Sequence, residues 1–169
     1  MKRLYTMANG ILNLTKVENQ SILTNVTEYN LSEQIRLTVL LLESKWTARN
    51  INMNIDFGEY TINANEEMMK QVWINLLDNA IKFSPEGEEI SIRISNKSEH
   101  IYVSISGKGP HIADEEINKI FRKFYQSDSS HSTEGTGIGL ALVSRIIELH
   151  KGRIEVNSDK NINTFTVIL

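Results

Sequence analysis

Apolar residues recur along this chain with two periods, and the points where the period changes divide it into elements. Leu4, Met7, Ile11 and Leu14 lie three, four and three apart, the stripe of a helix that packs along another helix. No other helix in the chain is expected to pair with it, and the stripe is already running at Met1 without a capping residue. The segment therefore reads as a helix truncated inside a helical hairpin or a dimer bundle, with an ordinary amphipathic surface helix as the alternative. After a polar stretch over 19–28, Asn30 and Glu33 form a capping box for a helix through Ile35, Val39, Leu42 and Trp46. Strict alternation in Ile51, Met53, Ile55 and Phe57 predicts a strand, with a hairpin return through Thr61 to Ala64. A long helix follows over 66–83, stopped by Ser84 and Pro85 with Gly87 in the turn.

Two more alternating strands are carried by Ile90, Ile92, Ile94 and by Ile101, Val103, Ile105. Residues 107–137 are glycine-punctuated and polar at both ends, around a short helix bearing Ile117, Ile120, Phe121 and Phe124, the two phenylalanines expected as core anchors. A connection of that length is usually a functional loop. Glycines 135, 137 and 139 open an apolar helix through Leu142, Val143, Ile146 and Leu149, with Gly152 as its expected left-handed stop, and strands 153–157 and 164–169 close the chain. This order predicts the α+β class: a two-layer α/β sandwich with helices on one face of a single mixed, mainly antiparallel sheet, preceded by a partial helical hairpin.

Composition narrows the function classes. A net charge of −3 gives no reason to expect nucleic acid or an anionic membrane. With no cysteine there is neither a disulfide framework nor a thiolate metal site. No stretch approaches the roughly 18 to 20 apolar residues of a membrane span, so the chain is expected to be soluble, without membrane contact of its own.

Chemistry concentrates in three places. On the helix through 71–83, Val72, Trp73, Leu76, Leu77, Ala80 and Ile81 share one broad face, while Asn75, Asn79 and Lys82 fall within roughly 60° of each other opposite it. Amide oxygens suit Mg²⁺, and a lysine offers phosphate a point charge; a solvated polar face is the alternative. Gly135-Thr136-Gly137-Ile138-Gly139-Leu140 leads into a helix, where close backbone approach and unpaired amides favour an anion. It lacks the context of a dinucleotide fold or a P-loop, so a structural turn is equally open. Third, Phe121-Arg122-Lys123-Phe124-Tyr125 could wall a pocket, and the polar residues from there to Gly135 read as a flexible cover over a phosphate site.

Taken in order, these segments resemble the signature of sensor histidine kinases. Asn75 to Gly87 is similar to their N box, Ile120 to Tyr125 to their F box, and Gly135 to Leu140 to their second glycine box. The resemblance covers roughly residues 30–169, and residues 1–18 look like the second helix of the dimerisation and phosphoacceptor hairpin. It implies a boundary between a hairpin remnant at 1–25 and a catalytic domain at 26–169, with the Bergerat ATP-binding sandwich of the GHKL superfamily. It further implies ATP and Mg²⁺ as cofactors: Asn79 on the metal, Asn75 and Lys82 toward the phosphates, Phe83 flanking the nucleotide. Gly135, Gly137 and Gly139, with Thr136, Ile138 and Leu140, would close on the phosphate tail, and Gly107, Gly109, Ile112 and Tyr125 would complete the nucleotide site. The γ-phosphoryl group would pass to a histidine on a hairpin absent here and then to a receiver domain. The parent would be a membrane-anchored homodimer with this part in the cytoplasm.

The chain departs from that pattern at definite positions. The first glycine box normally opens with an aspartate that accepts the adenine amino hydrogen; here the residue is Gly107. A hydrogen bond to a charged group contributes on the order of 1.5–3 kcal/mol, so roughly ten- to more than hundredfold weaker binding is expected unless water substitutes. His111 stands where a second glycine is usual, Gln126 where relatives often carry an arginine, and Asn65 where aspartate is common. None of His100, His111, His131 and His150 has a phosphoacceptor setting, so the chain is not expected to phosphorylate itself. Three functions stay open: an active histidine kinase catalytic domain, the same domain impaired in nucleotide binding as a pseudokinase or loss-of-binding variant, or another GHKL ATPase or serine kinase.

Overall fold

The computed structural model describes residues 2–126 and 135–169. Helix α1 (Lys2–Glu18) leads to strand β1 (Val26–Asn30), helices α2 (Leu31–Leu41) and α3 (Glu43–Ala48), strands β2 (Asn52–Asp56) and β3 (Thr61–Asn65), and the long helix α4 (Glu66–Phe83). Strands β4 (Glu89–Lys97) and β5 (His100–Lys108), the short α5 (Asp114–Ile117), helix α6 (Gly139–Leu149) and strands β6 (Arg153–Asp159) and β7 (Ile162–Ile168) complete it. The class is α+β, as the alternation of periods predicted. The main sheet runs β2-β4-β5-β7-β6, parallel only between β2 and β4. Ile90, Ile92, Ile94, Val103, Ile105, Phe165 and Val167 form its buried face, packed with α4 and α6 in one core. On the other face the hydroxyls of Ser104 and Thr166 pair at 3.0 Å.

The strand expected to turn back on β2 does something else. β3 pairs with β1 in a separate two-stranded sheet, and β2 joins β4. Strand β1 went unseen because it has no apolar alternation: most of it is exposed, and pairing with β3, not burial, holds it. Helix α2 begins as its capping box predicts, Asn30 Oδ1 accepting from the Glu33 N–H at 2.9 Å. It breaks at Leu42 instead of running through to Trp46, whose indole N–H folds back onto the Val39 carbonyl at 2.9 Å.

Asn65 caps α4 by accepting the Met68 N–H at 3.0 Å, while its amide nitrogen donates to the Thr24 carbonyl at 2.8 Å. An aspartate could cap but could not donate, so the amide ties the chain entering β1 to the head of α4. Gln34 is buried yet satisfied: its carbonyl accepts from Trp73 Nε1 and Tyr29 OH, each at 2.9 Å, and its amide donates to the Glu66 carbonyl at 2.8 Å.

Three further expectations are corrected. Lys151 (φ +58), not Gly152, takes the left-handed stop after α6. Gly152 is glycine because a Cβ there would lie 2.5 Å from the Ile168 carbonyl oxygen. Phe121 packs against the core, whereas Phe124 is 53% exposed, with φ +61. Finally, α1 does find a partner within the chain, packing Leu14 and Val17 into the core beside α6, while Leu4 and Ile11 of its stripe are exposed. Among the described residues no helix is long and apolar enough to cross a membrane.

His150, just after α6, is held neutral. Its Nδ1–H donates to the Ile146 carbonyl at 2.7 Å and its Nε2 accepts the Asn65 N–H at 3.1 Å. Burial pushes its pKa below the ordinary 6.5, outweighing the Ile146 bond. The unfolded chain thus takes up the proton first, so this stability is complete above pH 6.5 and is lost as pH falls below it toward the folded value. The melting temperature should drop between about pH 7.5 and 5.5, and calorimetry of His150→Gln should give a flatter slope over the same range.

Candidate nucleotide-binding cleft

Helix α4 buries seven of its residues, Met68, Met69, Val72, Trp73, Leu76, Leu77 and Ile81. The rest of the helix is thereby turned toward a cleft of about 600 Å³, lined on that wall by Asn75, Asp78, Asn79, Lys82 and Phe83. The facing wall is the glycine loop and the start of α6, with Gly135, Thr136, Gly137, Gly139 and Leu140, joined by Ile112 and Tyr125. The base of the cleft carries Gly107, Ser84, Ile105 and Phe165.

Near the cleft, the two walls approach closely at Gly139. A Cβ on Gly139 would lie 2.7 Å from Asn75 Oδ1, so only glycine lets α6 begin this close to the α4 amide. Asn75 is oriented by donating from Nδ2 to the Gln71 carbonyl at 2.8 Å. One turn further, the Asn79 carboxamide has no protein partner among the described residues and borders the cleft. Gly137 takes φ +70, and a Cβ there would strike the Phe124 backbone at 2.7 Å; its carbonyl accepts the Phe124 N–H at 2.8 Å. Gln126 holds the same loop, donating to the Gly135 carbonyl at 2.7 Å. The residue standing where an arginine is common is thus a backbone tie. The cover expected over 127–134 lies outside the described residues, as does His131.

Lys82 is not a free cation. Its Nζ lies 3.0 Å from Asp78 Oδ2, while Lys45 of α3 holds Asp78 Oδ1 at 2.7 Å. Burial works to raise the Asp78 pKa, but the two ammonium groups prevail and hold its carboxyl below the usual carboxylate range. Sequence reasoning missed Lys45, which lies far from the helix it serves and belongs to no motif.

Two of the expected residues do not line the cleft. Gly109 sits behind it, where a Cβ would meet Asn163 Nδ2 at 3.0 Å and the Phe83 carbonyl at 3.4 Å. Ile138 is 2% exposed and faces α1 at Gly10. His111 does not need a glycine's backbone: its φ is outside the left-handed region. The Ser158 hydroxyl anchors this loop, accepting the Ile112 N–H at 2.9 Å, meeting His111 Nδ1 at 3.1 Å and donating to Asn163 Oδ1 at 2.6 Å. The loop thus accommodates His111 where a second glycine is usual.

Residues 64–169 match the family described as histidine kinase-, DNA gyrase B- and HSP90-like ATPases. The chain belongs to this family. It is 29% identical to the sensor histidine kinase CusS of Escherichia coli O6:H1 over all of this chain and 36% of that protein, so it spans about a third of that relative's length. The nucleotide-free catalytic domain of histidine kinase ThkA superposes with a TM-score of 0.78 at 32% identity, over 86% of this chain and 95% of that one. ThkA in complex with the response regulator TrrA gives 0.82 at 29% identity, over 99% and 47%. The domain is thus the ATP-binding catalytic domain of a histidine kinase.

Gly139→Ala should leave the fold intact, since alanine favours helix, and should displace the Asn75 amide. Losing one such neutral hydrogen bond predicts a roughly two- to tenfold weaker nucleotide affinity by titration calorimetry, with an unchanged or higher melting temperature.

Proposed function

We propose that this chain is the catalytic module of a two-component sensor kinase that moves the γ-phosphoryl group of ATP onto a histidine nitrogen, with residues 1–25 as the hairpin remnant and 26–169 as the catalytic domain. The observation that carries this reading is the meeting of Asn75, Asn79 and Lys82 with the glycine loop across one cleft. The residues present fit the phosphate end of the nucleotide and depart at the base end, where Gly107 offers no side chain.

Bound Mg-ATP would supply the phosphoryl group and neutralise its charge. The Asn79 carboxamide, without a partner among the described residues, is the metal ligand in this reading. An amide oxygen is a hard ligand, which suits Mg²⁺ held by few protein groups and by phosphate oxygens. Lys82 turns from Asp78 to phosphate, and Lys45 keeps Asp78 compensated when it does. The glycine loop and the N-terminus of α6 present backbone donors to the phosphate tail. Phe83, Ile112, Tyr125 and Leu140 wall the nucleotide, Thr136 borders the tail, and Ile138 and Gly109 support from behind. These residues act by positioning and charge neutralisation, which is what phosphoryl transfer asks of a protein.

The complex of ThkA with TrrA supports a response regulator receiver domain as the next acceptor. The parent is a membrane-anchored homodimer with this domain in the cytoplasm. A second reading, impaired nucleotide binding, is favoured by Gly107 alone, since the loop at His111 is well anchored. Titration calorimetry separates the two. The unmodified chain should bind Mg-ATP weakly, and Gly107→Asp should bind at least about tenfold tighter, from a charged hydrogen bond regained. Tight binding by the unmodified chain removes the impairment; no binding by either form removes the kinase reading.

A further inference from the structure

Gly107 lies on β5 between Ile90 of β4 and Asn163 of β7, and the missing side chain is only half of what distinguishes this wall of the cleft. A Cβ at this position would lie 2.9 Å from Ser84 Oγ and 3.3 Å from Ile90 Cγ1. The Ser84 hydroxyl therefore occupies the space where a side chain at 107 would begin. Ser84 is 1% exposed, and its Oγ has no hydrogen-bond partner among the described residues. Its backbone is fixed on both sides, the N–H donating to the Ala80 carbonyl at 3.0 Å and the carbonyl accepting from Arg49 at 2.6 Å. The hydroxyl can thus turn about χ1 but cannot leave. A buried, unpaired hydroxyl bordering a ligand cleft asks for a partner from the ligand side.

The chemistry of that group differs from a carboxylate's in one decisive respect. An ionised carboxylate only accepts, so it pairs with the 6-amino group of adenine and repels the 6-oxo group of hypoxanthine. A hydroxyl donates or accepts, and so does a water bound to it. A carboxylate would extend beyond the Cβ into the cleft, whereas Ser84 Oγ stays behind that point, so one bridging water spans the difference. Resting on the nucleotide reading above, we infer that Ser84 reads the 6-position of the purine through its hydroxyl and one water, and that this chain takes 6-oxo purine triphosphates about as readily as 6-amino ones.

The test compares Mg-ATP, Mg-ITP and the Mg complex of purine riboside triphosphate, which has no group at the 6-position, by calorimetry on the unmodified chain, Ser84→Ala and Gly107→Asp. The unmodified chain should bind ATP and ITP within about threefold of each other, since the hydroxyl serves either group. Ser84→Ala should weaken both by roughly three- to tenfold, the loss of one water-mediated contact, and leave purine riboside triphosphate unmoved. A structural role would shift all three alike. Gly107→Asp, with Ser84 rotated to pair with the new carboxylate, should restore at least about tenfold preference for ATP over ITP. A tenfold or larger ATP preference in the unmodified chain, or equal loss of all three ligands in Ser84→Ala, overturns the inference while leaving the nucleotide reading standing. Absence of binding for every ligand and every variant overturns both.

Discussion

The approach of α6 to the Asn75 amide is the constraint on which the cleft rests. Helices α4 and α6 share the core above the sheet, with Leu76, Leu77, Val143, Ile146 and Ile147 buried. Once their apolar sides are committed, the polar edge of α4 and the first turn of α6 must face each other. Gly139 sets how near they come. Asn79 and Lys82 follow from the helical repeat, one and two turns beyond Asn75, so a single close contact sets where the polar edge of α4 meets the cleft. Gly139 and Leu140 of the first turn of α6 border the same space, and a helix N-terminus favours negative charge.

Charge is arranged around that wall in a way that keeps it usable. Asp78 carries two lysines, and all three side chains remain partly exposed, so the trio contributes little to stability. Its value lies in position: Lys82 is held in place on a carboxylate beside the cleft, and Lys45 keeps that carboxylate compensated if Lys82 moves. Order at one end contrasts with the other, where Gly107 carries no side chain and the Ser84 hydroxyl has no partner among the described residues.

Where a residue's role is set by its own neighbours in sequence, that role was legible before the structure. The helix over 66–83, the capping box at Asn30, the buried faces of β4 and β5 and the glycine loop before α6 all follow from local period and local punctuation. What escaped was fixed by partners distant in sequence. Strand β1 has no pattern of its own and exists by pairing with β3. β2 was expected to turn back because its alternation says nothing about which neighbour it takes. Lys45 acts through Asp78, and Gly152 is dictated by the Ile168 carbonyl. His111 stands where a glycine is usual, yet its backbone stays out of the left-handed region and Ser158 holds it in place. Of the glycine positions expected at the site, Gly109 proved to be a matter of packing against Phe83, which no count of glycines distinguishes from a place at the ligand.

Ile138 shows why the glycine loop belongs to two units at once. Its side chain is buried, and α1 passes its glycine edge beside it: a Cβ on Gly10 would stand 3.6 Å from Ile138 Cδ1. Arg145 on α6 donates to the Gln20 carbonyl at 2.7 Å, and Lys123 reaches Glu18 at 2.6 Å. The end of α1 is thus fastened to both sequence flanks of the loop, Lys123 on one and Arg145 on the other. The ion pair is partly exposed and weak, but the packing at Ile138 is not, because a buried branched side chain tolerates little displacement. A shift of α1 along its axis must carry Ile138 with it or open a void. Ile138 directly precedes Gly139, so that shift reaches the Asn75 contact within one residue. The glycine that sets the approach of α6 to α4 is therefore also one residue from the point where α1 packs against the loop.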